Sequence, residues 1–161
     1  MSEVVVIEAD LANPLHQEAI VTLINAYACD AMGGGRPLPE PVRTALIPGL
    51  QRHPTTLVLL AWSGPQAVGI AVCFTGFSTF AARPLLNIHD LAVLPAYRRQ
   101  GIGQLLLAQA AAKARALGGC KLTLEVRADN ATARQLYERS GFGAMAYAGG
   151  ATQTLFLEKL L

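Results

Sequence analysis

The segment YRRQGIGQLLLAQAAAKARALGG, from Tyr97 to Gly119, constrains the fold most, because its front end does not suit its back end. From Gln104 onward it is built of strong helix formers, with Lys113 and Arg115 near the end and Gly118-Gly119 as a stop. Gly101 and Gly103 nevertheless stand where that helix should begin, and each glycine costs roughly 1 kcal/mol against alanine in a helix interior. A helix start offers N–H groups without intrahelical partners and the positive end of the macrodipole, so an anion is its natural guest. Glycine lets the backbone touch phosphate oxygens directly, and Arg98 and Arg99 raise the local potential. The backbone of Arg99, Gln100, Gly101, Ile102, Gly103 and Gln104 is therefore a candidate cradle for a pyrophosphate, with a simple glycine turn as the alternative. A P-loop is excluded, since Gly103 precedes Gln104-Leu105. A dinucleotide fingerprint is excluded too, since Leu106 stands where its last glycine belongs.

Composition narrows the rest. The 161 residues are 52% hydrophobic and 15% charged, which suits one globular domain over residues 1–161. Thirteen basic against eleven acidic residues leave a formal charge of +2, too small to argue for nucleic acid or a membrane surface as partner. No apolar run is long enough for a membrane span, and MSEVVVIEAD lacks the basic region of a signal peptide, so a cytoplasmic location is expected. Cys29, Cys73 and Cys120 have no metal-ligand spacing and read as buried reduced thiols, so no metal is expected.

Along the chain, VVVIEA (Val4 to Ala9) reads as a strand, and Asn13-Pro14 as the capped start of a helix with a broad apolar stripe through Tyr27. AMGGGRPLPEP (Ala31 to Pro41) reads as a loop with too many glycines to hold one shape unaided. A helix over Glu40 to Leu50 follows, its end distorted at Pro48-Gly49. Thr55 to Trp62 and Ala67 to Phe80 read as a hairpin, and Leu85 to Leu94 as the next strand. After the glycine-fronted helix come a strand (Lys121 to Ala128), a short helix capped by Asp129 or Asn130 and stopped at Gly141, and strands near Gly143 to Ala148 and Gln153 to Leu160. This order predicts an α/β (mixed α+β) chain: a mixed sheet with helices on its faces.

LAVLPAYRRQGIGQLLL (Leu91 to Leu107) resembles the acetyl-CoA-binding motif of the GNAT superfamily of N-acetyltransferases, with Arg98, Gly101 and Gly103 in register. NATARQLYERSGF resembles the family's second segment through Asn130, Ala133, Leu136, Tyr137, Gly141 and Phe142. The resemblance implies the GNAT fold, with a central, mostly antiparallel mixed sheet, a splayed strand pair and helices on both faces. It implies acetyl-CoA as co-substrate, direct transfer to an amine acceptor, and a homodimer through the C-terminal strands. It further implies that the main chain of Leu91, Ala92 and Val93 holds pantetheine, that Asn130 contacts it, and that Tyr137 sits beside the sulfur as the acid. A phenol can protonate a departing thiolate when the two are held together.

The base is sought at His89 and Asp90. FSTFAARPLLNIHDLAV looks like the diamine and polyamine acetyltransferase branch, in which two acidic residues stand there. His89 replaces the first, which removes a negative charge. Strand alternation would put His89, Leu91 and Val93 on one face and Ile88, Asp90 and Ala92 on the other. His16 and His53 read as surface residues. In the loop, Asp30 and Glu40 are candidates to attract a cationic amine and Arg36 a carboxylate. Two other functions remain open on sequence: an acyltransferase for an antibiotic amine or amino acid, and a non-catalytic acyl-CoA-binding domain.

Overall fold

The computed structural model describes residues 3–145 and 154–161. Strands β1 (Val4–Glu8), β2 (Thr56–Ser63), β3 (Gln66–Ser78), β4 (Arg83–Val93), β5 (Lys121–Arg127), β6 (Gly143–Met145) and β7 (Thr154–Leu160) form one sheet in the order β1-β2-β3-β4-β5-β7-β6. All neighbours are antiparallel except β4 and β5, so the mixed, mostly antiparallel sheet read from the sequence is observed. The parts of the last two expected strands over 146–148 and at 153 lie outside the described residues.

Helices cover both faces. On one, α1 (Pro14–Cys29) and α2 (Glu40–Arg52) pack Ile20, Leu23 and Leu50 onto Val58, Leu60, Ile70 and Val72. On the other, α3 (Ile102–Ala116) and α4 (Ala131–Arg139) close over Leu59, Leu86, Leu122 and Leu124. Within each strand one set of alternate side chains meets each helical layer, which is why the central strands read as nearly unbroken apolar runs.

Local chemistry sets the helix ends. Asn13 caps α1 by accepting the Leu15 N–H at 2.9 Å, with Pro14 first in the helix. His16 is more than a surface residue: its Nδ1 accepts the Asp10 N–H at 2.9 Å and its ring lies beside Trp62. Helix α2 continues through Pro48 to Arg52, beyond the expected distortion; it is mostly exposed, and only Leu50 is fully buried. Gly118 and Gly119 end α3 through bonds to Arg115 and Ala114 carbonyls, with Gly118 left-handed at φ 74°. Cys73 is buried as expected, Cys120 is half-buried, and Cys29 is exposed because it lies at the open end of α1.

The loop over 30–39 has a definite shape. Gly33 and Gly35 N–H groups donate to the Asp30 carbonyl, Arg36 N–H to the Ala28 carbonyl, and Leu38 N–H to Asn25 Oδ1 at 2.8 Å. A Cβ on Gly33 would stand 1.9 Å from the Tyr27 carbonyl oxygen, so this glycine lets the loop fold back onto the end of α1.

Candidate active site

The site is built around a split in the sheet. β4 and β5 pair at Leu86–Leu122, Asn87–Thr123 and Ile88–Leu124; beyond Ile88 they have no registered partner in each other. Leu94 N–H still donates to Val68 on the β3 side at 2.9 Å. By the alternation of a strand, Val93 and Leu91 therefore turn their backbone groups into the gap, while those of Ala92 belong to the β3 ladder. The Val93 carbonyl accepts there from Arg98 Nε at 3.0 Å.

Directly after β4 a single 3-10 turn (Pro95–Tyr97) leads into the glycine segment. Arg99 (φ 63°) and Gly101 (φ 80°) are both left-handed, which turns successive N–H groups outward at the mouth of α3. Leu105 is the first residue whose N–H returns to this turn, bonding the Gly101 carbonyl. From Arg99 to Gln104 no backbone N–H has a partner among the described residues. Ile102, buried to 1% exposure, anchors the turn from below. The two glycines have different reasons: space around Gly101 is open, whereas a Cβ on Gly103 would meet Leu136 Cδ2 of α4 at 2.8 Å. Arg98 points away from these donors. Its Nη2 bonds Asp30 Oδ2 at 2.7 Å and so ties the loop after α1 to β4. That contact holds the Asp30 carboxyl below the usual range, so the carboxylate offered from sequence as an attractor for a cationic amine is already paired with a guanidinium.

Across the gap, α4 presents Asn130 and Tyr137. Asn130, not Asp129, is the cap: its Oδ1 accepts the Ala133 N–H at 3.2 Å, while Asp129 pairs with Arg127. Gly141 (φ 89°) closes the other end, its N–H to the Glu138 carbonyl and that of Phe142 to the Tyr137 carbonyl. Phe142 then packs edge-on against Tyr137, ring centroids 5.7 Å apart, the contact that accompanies this kind of helix stop. Tyr137 is only 7% exposed, yet its hydroxyl is not sealed in: Trp62 Nε1 is the one fully enclosed side-chain nitrogen or oxygen without a partner among the described residues. Burial, with the nearby Tyr27 phenol adding to it, pushes the Tyr137 hydroxyl up to about 12, so it keeps its proton through neutral pH.

His89 and Asp90 differ from simple alternation. Val72 pairs with Asp90 and Cys73 with Ile88, so His89 is the extra residue of a β-bulge. The bulge puts Ile88, Leu91 and Val93 on the α3 side. His89 lies against Phe74 on the α1 side, the face that also carries Asp90 opposite Val72 and Ala92 opposite Ile70. Burial raises the Asp90 carboxyl, with His89 partly offsetting the effect. Tyr27, read from sequence only as part of the α1 stripe, is a site residue that reading missed. It lines a small cavity with Ala92, Val93, Leu94 and Arg98, and its phenol is raised by burial and then by Asp90 and Asp30. Its one sequence signal is its place in the last turn of α1, just ahead of the glycines. Glu40 and Arg36 are exposed and are not drawn into this cluster.

Comparison with known proteins agrees with this geometry. Residues 21–142 match the model of the acetyltransferase (GNAT) family. The uncharacterized N-acetyltransferase YhfO of Bacillus subtilis is 31% identical over 58% of this chain and 62% of its own length. Streptothricin acetyltransferase of Streptomyces lavendulae is 42% identical over 43% of this chain and 36% of its own. The alanine N-acetyltransferase of ribosomal protein bS18 from Escherichia coli is 46% identical over 35% of this chain and 38% of its own. The matches thus span between about a third and three fifths of these curated relatives. A GNAT-family acetyltransferase from Streptococcus pneumoniae superposes with a TM-score of 0.74 at 20% identity, covering 99% of this chain and 100% of that one. The PaiA N-acetyltransferase of Thermoplasma acidophilum, in complex with coenzyme A, does so at 0.72 and 16%, covering 99% of each chain. By the family match, the split sheet and the glycine turn behind it, this chain belongs to the GNAT acetyltransferase family.

Proposed function

We propose that this chain transfers an acetyl group from acetyl-CoA directly to a primary amine of a small molecule or peptide. The observation that carries the reading is the run of unpartnered N–H groups from Arg99 to Gln104, directly behind the strand at which the sheet splits. Acetyl-CoA would supply an activated thioester carbonyl. The turn N–H groups, with Arg99, would hold its pyrophosphate, and the backbone groups of Leu91 and Val93 would bind pantetheine and polarise the carbonyl, with Asn130 across the gap.

Asp90, whose raised carboxyl makes it a stronger base than an ordinary aspartate, takes the proton that the entering ammonium must lose, with His89 beside it. As the C–N bond forms and the C–S bond breaks, Tyr137 gives its proton to the sulfur and recovers one from the acylated nitrogen through solvent. The relatives named for streptothricin and for the alanine of a ribosomal protein support an amine as acceptor. A cytoplasmic homodimer through the C-terminal strands, with no metal, belongs to the same proposal.

Free CoA release should be measured with a panel of primary amines. Turnover is expected with at least one, and Tyr137→Phe should lower kcat by roughly 10²-fold while leaving acetyl-CoA affinity nearly unchanged. Acetyl-CoA binding without CoA release from any amine would replace this reading with a non-catalytic acyl-CoA-binding domain.

A further inference from the structure

On the α1 side of the sheet, next to Asp90, three rings stand in successive contact. Phe74 of β3 is half-buried opposite Asn87 of β4, with the His53 ring centroid 4.6 Å away and the His89 centroid 5.6 Å away. Both interplanar angles, 60° and 68°, are those of tilted or edge-on aromatic contacts, and both imidazoles are exposed. The three come from different elements: His53 closes the C-terminus of α2, Phe74 lies within β3, and His89 is the bulged residue of β4. The bulge sets His89 and Asp90 on the same face of β4, so an aromatic ring stands immediately beside the half-buried Asp90 carboxylate. One end of the row, His89, thus adjoins Asp90, the residue to which the acetyl-transfer reading gives the ammonium proton.

We propose that the acceptor is a primary amine joined to an aromatic ring by a short aliphatic tether, its nitrogen at Asp90 and its ring on the His53–Phe74–His89 row. The inference rests on the acetyl-transfer reading and adds the class of acceptor to it. Aromatic rings gain from offset or edge contacts beyond the area they bury, and a row with accessible ends extends by one more ring. A diamine is disfavoured at this end. Among the described residues no carboxylate lies within ion-pair distance of either imidazole, and the acid that His89 does feel, Asp90, already holds the first nitrogen, so a second ammonium on the row would meet two histidines.

The test is steady-state kinetics at saturating acetyl-CoA with 2-phenylethylamine, n-butylamine and 1,4-diaminobutane. A kcat/KM about tenfold or more higher for 2-phenylethylamine than for n-butylamine is expected, the scale of one well-made aromatic contact. Phe74→Leu keeps an apolar side chain against the core, and His53→Leu alters an exposed position. Each should bring that ratio toward unity, with folding checked by circular dichroism. Equal rates for the three amines, a preference for the diamine, or an aromatic preference that survives both variants would each overturn the aromatic acceptor while leaving acetyl transfer in place. No CoA release from any amine would instead remove the acetyl-transfer reading itself, and this inference with it.

Discussion

Asp90 shows how much a single residue can hide from a sequence. Its identity as a candidate base was legible, but its setting was not, because strand alternation assumes a regular ladder and the ladder slips at His89. The bulge is one unpaired residue with no glycine or proline to announce it. Tyr27 was passed over for a related reason: at helical spacing a tyrosine looks like core, and only the fold sets it beside Asp90 and Tyr137. The raised Asp90 carboxyl has a stability consequence with a definite sign. A carboxyl that holds its proton more tightly folded than unfolded makes stability fall as pH rises from its ordinary value through its folded one. Asp90→Asn removes that loss, so it should melt a few degrees above the parent at pH 7, with the gain fading towards pH 3, where both states are protonated. Calorimetric melts across that range would show it, and a variant less stable at pH 7 would mean that the carboxylate is favourably held. The same variant should be a poor catalyst, since an amide cannot accept the ammonium proton.

At the scale of elements, ends were easier to read than interiors. Asn13-Pro14, Gly118-Gly119 and Gly141 marked helix limits because caps are local chemistry, written within a few residues of the end. The Gly141-Phe142 pair goes further: the glycine turns the chain and the phenylalanine returns onto Tyr137, so the motif that stops α4 also orients its phenol. The loop over 30–39 was read as unable to hold one shape unaided, and its hold does come from outside it, from Asn25 Oδ1, the Ala28 carbonyl and the Arg98 guanidinium, none visible in a run of glycines. Gly33→Ala should therefore act at a distance: its Cβ would press on the Tyr27 carbonyl and push the loop off the end of α1, displacing Tyr27. The expected result is a several-fold rise in the KM for the amine with acetyl-CoA affinity within about twofold, against Gly64→Ala, a glycine in the distant β2–β3 turn, as the comparison for a generic backbone penalty of roughly 1 kcal/mol. Parallel shifts in both substrates would place the loop's influence on the cofactor side instead.

The whole molecule is two half-sheets joined by three registered pairs between β4 and β5 and spanned on one face by α3. The order of strands and helices already pointed to a mixed sheet and the family resemblance added a splayed strand pair, but the point at which β4 and β5 part depends on long-range pairing and is seen only in the register. A ligand that fills the gap and takes the turn donors would touch both halves, so it stabilises the folded chain by mass action. At a hundredfold excess over its Kd the gain is about 2.7 kcal/mol, which for a chain of this size raises Tm by about 5–10 °C. Gly101 is the place to test whether the turn is where the phosphates sit. It has open space around it, and its left-handed φ of 80° is one that Asn and Asp tolerate better than other side chains. Gly101→Asn and Gly101→Asp should fold alike, while the aspartate adds a negative charge among the N–H groups. Acetyl-CoA should still raise the Tm of the asparagine variant in part and fail to raise that of the aspartate variant, more clearly at low ionic strength, where charges are least screened. An undiminished shift in Gly101→Asp would move the pyrophosphate away from this turn and leave its two left-handed residues as simple chain reversal.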